Sequence, residues 1–219
     1  MKPFVTVIIP TYNGTKTLDI AIHSISIQDY PNKEIIVVDD GSTEDIKKIV
    51  NHYHVKYFRQ KNQGPGSARN LGIKHAKGDY IIFGDDDQKF PKNYVSSIVS
   101  GFIRYNVAAV GCYVKPNNNI SKWNIFSKLE IWRSKRLHKK ILNIEKIGGM
   151  DLPMGGTGSI GYKKDILNEF NGFNPSLRTG EDFDLKKRVC DKGYKMLFIP
   201  LLIEHYHDYS LKGFLKTII

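Results

Sequence analysis

Residues Gly78–Asp87 have the sequence GDYIIFGDDD, an apolar run that ends in three consecutive carboxylates. Tyr80–Phe83 has the β-branched and aromatic composition of a strand covered on both faces, and ligands of open α/β sheets collect at the carboxyl ends of such strands. Asp85 and Asp87 lie two residues apart, where their oxygens could chelate Mg²⁺ or Mn²⁺, ions that bridge carboxylates to substrate phosphates. The alternative is a solvated acidic turn before a helix that begins at Pro91.

The chain has 219 residues and a hydrophobic content of 41%, enough to bury the core of one large α/β domain. No uninterrupted apolar run approaches the roughly 20 residues of a membrane span, and Pro10 breaks the N-terminal apolar stretch too early for a signal peptide. We therefore expect a cytoplasmic protein. Cys112 and Cys190 lack the spacing of a zinc site or a disulfide framework and are interpreted as buried, small apolar residues.

The formal net charge is +11, which favours an anionic partner such as a nucleotide, a nucleic acid or an acidic membrane. The excess of positive charge is concentrated between Ser121 and Lys140, where seven basic residues surround apolar residues at helical spacing. Trp123, Phe126 and Trp132 in this setting are typical of a helix at a membrane interface. The alternative is an amphipathic helix that covers the sheet.

Strand patterns alternate with helical patterns along the first half of the chain, which predicts a mostly parallel, doubly wound α/β sheet. Ser42 and Asp45 have capping-box spacing for the helix after the second strand. After Pro116 the alternation stops, and a helix from Glu181 precedes a last strand. The predicted strands are Phe4–Ile9, Glu34–Val38, Val55–Arg59, Tyr80–Phe83, Ala108–Val114 and Tyr194–Ile199.

Four motifs occur in order: VIIPTYN at 7–13, EIIVVDDGS at 34–42, NQG at 62–64 followed by ARNLG at 68–72, and DDD at 85–87. GED at 180–182 and HYH at 205–207 follow. Together they resemble the family 2 inverting glycosyltransferases of the GT-A fold, over essentially the whole chain. The resemblance implies a single Rossmann-like domain, 1–219, with helices on both faces of the sheet. Residues 1–115 would bind the nucleotide sugar and 116–219 the acceptor.

The resemblance assigns the donor site to the ends of the first, second and fourth strands. Asp39 would accept the ring imide proton of uracil, which favours UDP, and Asp85 would face the ribose. The alternative for Asp39, Asp40 and Ser42 is helix capping, and for Arg69 it is a surface salt bridge. The implied donor-binding residues are Pro10, Thr11, Tyr12, Asn13, Asp39, Gly64, Arg69, Asp85 and Asp86.

The resemblance also implies a divalent cation held by Asp87, His205 and His207. Mn²⁺ or Mg²⁺ there would stabilise the charge that develops on the leaving nucleoside diphosphate. The two histidines alternate along an extended segment, so only one is expected to face the site.

Asp182 corresponds to the family's catalytic base, which deprotonates an acceptor hydroxyl as it attacks the anomeric carbon with inversion. The alternative is that Glu181 and Asp182 only stabilise a helix N-terminus through its dipole. The implied acceptor-side residues are Gly156, Thr157, Gly158 and Glu181.

Two other protein classes fit parts of the pattern. A nucleotidyltransferase of similar fold would carry a glycine-rich, basic loop after its first strand, which Thr11–Gly14 lacks. A non-catalytic basic module would account for the charge alone, but aromatic RNA-binding platforms are not evident, so no nucleic-acid partner is expected. The expected acceptor is a sugar, a glycan or a lipid-linked molecule, met in the cytoplasm or on the cytosolic face of a membrane. The natural protein could continue past Ile219.

Overall fold

The computed structural model describes residues 2–116 and 144–206, and the nine strands of these residues belong to one sheet. The strands are β1 Val5–Thr11, β2 Lys33–Asp39, β3 Lys56–Arg59, β4 Tyr80–Phe83, β5 Gln88–Lys89, β6 Ala109–Pro116, β7 Lys146–Gly148, β8 Ile160–Lys163 and β9 Met196–His205. Their order is β3-β2-β1-β4-β8-β6-β9-β5, and β7 pairs with β9 off this path.

The described helices cover both faces of the sheet. They are α1 Leu18–Ser26, α2 Ile46–Val50, α3 Pro65–His75, α4 Tyr94–Arg104, α5 Lys164–Glu169 and α6 Glu181–Asp191. Val7 and Ile9 of β1 share one buried core with α1 and α4, whereas Ile8 between them shares a second core with α3 and α6. Successive side chains of a strand point to opposite faces, so each face has its own core. The predicted fold class, α/β with one central sheet and helices on both faces, is confirmed.

The parallel arrangement predicted for the first half holds for β1 to β4. β1 lies parallel between β2 and β4, and β2 pairs in parallel with β3. Thr11 pairs with Asp39, and Ile8 pairs with Phe83. The residues that follow these strands therefore meet at one edge of the sheet, where ligands of such folds bind.

The second half of the sheet is mixed. β8 runs antiparallel between β4 and β6, and β9 runs parallel to β6. Because β8 is antiparallel to β4, the glycine-rich loop that precedes β8 lies at the carboxyl end of β4. The short β5 pairs antiparallel with β9 and places Gln88 opposite His205, which brings the end of β9 to the acidic segment.

β9 is longer than the sequence predicted and continues to His205 instead of ending at Ile199. Pro200 lies within it, although proline has no N–H for a ladder hydrogen bond. A register shift opposite Gly111–Tyr113 accommodates this residue. The extension brings His205 next to the acidic segment.

Two helix starts also differ from the prediction. α4 begins at Tyr94 rather than at Pro91. Asp45 is itself the N-cap of α2, and its carboxylate accepts a hydrogen bond of 3.2 Å from the N–H of Lys48. The capping box predicted from Ser42 is therefore wrong.

Among the described residues, no helix is long and apolar enough to cross a membrane. The segment 121–140 and His207 lie outside the described residues, so the amphipathic helix stays a prediction. Cys112 is buried and Cys190 is half-buried, and both are free thiols.

Candidate active site

A cavity of about 570 Å³ opens at the carboxyl ends of β1 and β4. Nine of the residues predicted from the sequence line it: Pro10, Thr11, Tyr12, Gly64, Arg69, Asp85, Asp86, Asp87 and His205. Six residues that the motifs did not assign to the site also line it: Asp40, Asn62, Pro65, Ala68, Arg178 and Thr179. The volume lies within the usual range for small-molecule sites.

Arg69 is buried in the lining of this cavity and forms ion pairs with two carboxylates. Its Nη2 lies 2.9 Å from Asp85 Oδ1, and its Nη1 lies 2.6 Å from Glu181 Oε1. Burial alone would lower the pKa of the guanidinium, but the two carboxylates outweigh burial and the pKa is raised. The surface salt bridge considered for Arg69 is thus a buried ion pair. Glu181, predicted on the acceptor side, is its partner and does not line the cavity.

Asp86 is half-buried between Asp85 and Asp87. Burial raises the pKa of its carboxyl to about 7, against the hydrogen bond from the Thr11 hydroxyl, and Asp87 and Asp85 raise it further. Gly14 leaves room for this contact, since a Cβ on Gly14 would lie 2.0 Å from Asp86 Oδ2. Asp86 therefore holds the residues that follow β1 against the acidic segment.

Asp87 and His205 are the pair best suited to hold a metal ion. Asp87 Oδ2 lies 3.0 Å from His205 Nε2, and both residues line the cavity. Burial lowers the pKa of His205, but the hydrogen bond and the charge of Asp87 outweigh it, so the pKa is raised.

The described residues contain no group of three His, Cys, Asp or Glu side chains arranged to hold a metal. Mg²⁺ commonly takes only one or two protein carboxylates and completes its shell with water and substrate phosphates, and Mn²⁺ shares the preference for oxygen ligands. A carboxylate beside an imidazole, on the wall of a cavity of this size, fits an ion that is completed by a nucleotide.

Asp39 and Asn13 lie next to the cavity without lining it. Asp39 is fully buried, and its carboxylate accepts hydrogen bonds of 2.8 Å from both the Ser42 N–H and the Tyr57 hydroxyl. Arg59 lies 3.3 Å away. The side-chain carbonyl of Asn13 accepts the N–H of Thr43 at 2.8 Å. Both residues thus shape the loops that follow β1 and β2.

Asp40, considered a helix cap in the sequence, instead fixes the loop before α3. Its carboxylate accepts the N–H groups of Gln63 at 2.9 Å and of Gly64 at 2.8 Å, and the Gln60 amide at 2.7 Å. Gly64 has φ +94°, a conformation that favours glycine. The NQG motif gave a signal for this loop, but nothing local showed that Asp40 holds it.

The predicted acceptor loop lies between Asp85 and Asp182. A Cβ on Gly158 would lie 2.2 Å from Asp85 Oδ2, and one on Gly156 would lie 3.2 Å from Asp182 Oδ2. Thr157, between them, is buried, and its hydroxyl has no hydrogen-bond partner among the described residues. Asp182 is half-buried on the first turn of α6 and does not line the cavity.

We expect Gly158→Ala to weaken both folding and donor binding. The new methyl group would displace the Asp85 carboxylate, which Arg69 holds in place, and overpacking of this kind costs about 1–3 kcal/mol. Urea denaturation and calorimetric UDP titration measure the two effects. The matched control is Gly149→Ala, whose Cβ would meet, among the described residues, only Cys190 Sγ at 3.6 Å. Equal stability and UDP affinity of the two variants would show that the loop does not press on Asp85.

Solved structures of other proteins match the fold of this chain. The fold matches Staphylococcus aureus TarS, solved in complex with UDP-GlcNAc, with a TM-score of 0.68 and 21% identity over 89% of this chain and 58% of that one. It also matches the mannosyltransferase PcManGT of Pyrobaculum calidifontis, solved with GDP-Man and Mn²⁺, with a TM-score of 0.72 and 21% identity over 95% and 58% of the two chains. The fold is that of the GT-A glycosyltransferases.

The family profile of Glycosyl transferase family 2 matches residues 6–170. The chain belongs to this family and is a glycosyltransferase. It is 32% identical over 155 residues to the GalNAc(5)-diNAcBac-PP-undecaprenol beta-1,3-glucosyltransferase of Campylobacter jejuni, covering 67% of this chain and 50% of that protein. It spans only 14–16% of the length of three curated relatives that are 46% identical to it.

Proposed function

We propose that this protein transfers a sugar from a nucleoside diphosphate sugar, with UDP favoured, to an acceptor hydroxyl with inversion of configuration and the help of Mn²⁺ or Mg²⁺. One observation carries the proposal: a single loop, Gly156–Gly158, lies between Asp85 and Asp182, the residues proposed for the donor and the acceptor. It meets Asp85 on the donor cavity and Asp182 on α6. A donor held in the cavity and an acceptor held beside Asp182 would therefore meet at this loop.

Asp182 is proposed as the base, and its two oxygens differ in their surroundings. Oδ1 accepts the N–H of Phe183 at 2.8 Å, whereas Oδ2 faces Gly156. Oδ2 would receive the proton of the acceptor hydroxyl as that oxygen bonds to the anomeric carbon. The bond from this carbon to the diphosphate oxygen breaks on the opposite face, and the nucleoside diphosphate leaves. A cation bound by Asp87 and His205 would supply positive charge to the leaving group.

UDP is favoured through Asp39, whose strand partner Thr11 lines the cavity. A carboxylate has about four lone-pair sites, and Asp39 uses only some of them for Ser42 and Tyr57. Because Asp39 is buried, the uracil imide would reach it only after Arg59, whose side chain is half-exposed, moves aside. The two solved relatives bind UDP-GlcNAc and GDP-Man respectively, so a donor screen must compare both bases.

The proposed function is tested by a thermal-shift screen of UDP-, GDP- and dTDP-sugars with and without Mn²⁺. We expect stabilisation by a nucleoside diphosphate, larger with the metal, because a ligand that binds only the folded state raises its stability. Failure of every nucleoside diphosphate to bind at high micromolar concentration with metal present would overturn the proposal.

A lipid-linked acceptor at the cytosolic face of a membrane is proposed on two grounds. The Campylobacter relative is named for an acceptor carried by PP-undecaprenol. The segment 121–140 of this chain, which lies outside the described residues, combines seven Lys and Arg with two tryptophans. Each basic residue near an acidic surface contributes about 1 kcal/mol to membrane attraction.

We expect the protein to co-sediment with anionic but not neutral liposomes, and salt to weaken this binding, because the attraction is screened within about 8–10 Å at physiological ionic strength. Neutralising Lys135, Arg136, Lys139 and Lys140 together should abolish it. The control neutralises Lys47 and Lys48 of α2 instead. Binding that persists in the first variant would exclude this segment as the membrane contact and leave the glycosyltransferase assignment unaffected.

A further inference from the structure

Arg178 is a cation in the donor cavity that the sequence motifs did not single out. It lies on the segment between Phe173 and α6, and its exposed side chain lines the cavity. Its backbone passes beside the loop before α3, where a Cβ on Gly64 would lie 3.9 Å from Arg178 Cα. Its Nη1 donates to Asn62 Oδ1 at 3.3 Å.

The other basic side chains that line this cavity, Arg69 and His205, already face carboxylates. Four aspartates line it: Asp40, Asp85, Asp86 and Asp87. Arg69 is shared by Asp85 and Glu181, and His205 contacts Asp87. Arg178 differs from Arg69 and His205, because its contact is with the neutral Asn62 amide and it forms no ion pair with a described carboxylate.

A diphosphate that enters this cavity meets mostly negative side chains. The surroundings of Asp87 become favourable to a phosphate only with a metal ion, whereas the lining beside Asn62 already carries the Arg178 guanidinium. Guanidinium groups bind phosphate oxygens through paired, charge-assisted hydrogen bonds. The contact with Asn62 holds the Arg178 side chain at the loop that Asp40 fixes.

We propose that Arg178 binds the diphosphate of the nucleotide-sugar donor, from its position in the cavity lining beside Asn62 and Gly64. This inference rests on the proposed function. It assigns to the donor's anionic group a cation outside the recognised motifs, five residues after Phe173 and four before Asp182.

The test is calorimetric titration of UDP in the presence of Mn²⁺ at low and high salt. Arg178→Ala is expected to weaken UDP binding by about 10- to 100-fold, the usual size of a hydrogen bond to a charged group. Arg178→Lys should recover part of the loss, since an ammonium keeps the charge without the planar fork. The salt dependence of UDP binding should be smaller in Arg178→Ala than in the wild type.

Two matched controls separate charge from loop structure. Lys61→Ala removes a positive charge from the same loop without touching the cavity lining and should leave UDP affinity unchanged. Asn62→Ala removes the contact of Arg178 but keeps its charge and should cost much less than Arg178→Ala. Equal losses of UDP affinity in Asn62→Ala and Arg178→Ala, with the salt dependence of binding unchanged in both, would overturn the inference. Full UDP affinity in Arg178→Ala would overturn it as well. A wild type that binds no nucleoside diphosphate would instead refute the proposed function.

Discussion

Asp182→Asn is expected to lower the kcat for sugar transfer by about 10²- to 10⁴-fold, the usual contribution of a positioned general base. UDP affinity should stay at the wild-type value, because Asp182 lies outside the donor cavity. The amide keeps the shape of the side chain and can still accept the Phe183 N–H, so α6 should keep its start. Steady-state kinetics with UDP titration on the same preparation separates the two effects.

The matched control is Asp191→Asn, which removes the same charge from the other end of α6. Asp191 is paired with Lys187 at the protein surface. It should leave both kcat and UDP affinity unchanged. Full transfer by Asp182→Asn to a hydroxyl acceptor would show that the base assignment is incorrect.

Asp87→Ala is expected to abolish the metal dependence of donor binding. Loss of even a residue that only supports a metal ligand costs about 10- to 100-fold in metal affinity, and loss of a ligand should cost at least as much. UDP affinity in Mn²⁺ should therefore fall to the metal-free value. Without metal, the variant should bind UDP as well as or better than the wild type, because one charge that repels the diphosphate is gone.

A lost metal ligand should weaken UDP binding in Mn²⁺ and leave it unchanged or stronger without metal. A folding defect would instead weaken UDP binding under both conditions. His205→Gln should show the same loss of metal dependence. Asp191→Asn again serves as the charge-matched control. An Asp87→Ala protein whose UDP binding still responds fully to Mn²⁺ would remove this residue from the proposed metal site.

The sequence predicted the first half of the fold well because the signals there are local. An apolar run followed by polar residues marks the end of each parallel strand, and such ends meet by geometry alone. Strand ends of this kind, together with the family resemblance, assign Pro10, Thr11, Tyr12 and the three aspartates to one site. Nothing local indicates that β8 runs antiparallel, yet that direction brings Gly158 to Asp85.

The partners of charged residues were harder to predict because they are far apart in the sequence. Arg69 and Glu181 are separated by 112 positions, and their ion pair depends on how α3 and α6 pack on the same face. The family resemblance implies an acceptor-side position for Glu181, next to Asp182. On a helix, however, adjacent residues point in directions about 100° apart.

The end of the last strand, which carries His205, was hard to predict for a third reason. The predicted last strand ended at Ile199, next to Pro200, and proline usually marks the edge or end of a strand. The register shift opposite Gly111–Tyr113 removes this constraint, and the strand then carries His205 to Asp87. Such a shift depends on the partner strand and has no signature in the local sequence.

The central claim, inverting transfer from a nucleotide sugar, is tested most directly by the stereochemistry of the first product. Proton NMR can follow the anomeric signal while the protein, with Mn²⁺, slowly hydrolyses an α-linked UDP-sugar, water taking the place of the acceptor. The account predicts metal-dependent release of UDP with the β-anomer of the sugar appearing first, and a much slower reaction in Asp182→Asn. Initial release of the α-anomer would contradict it.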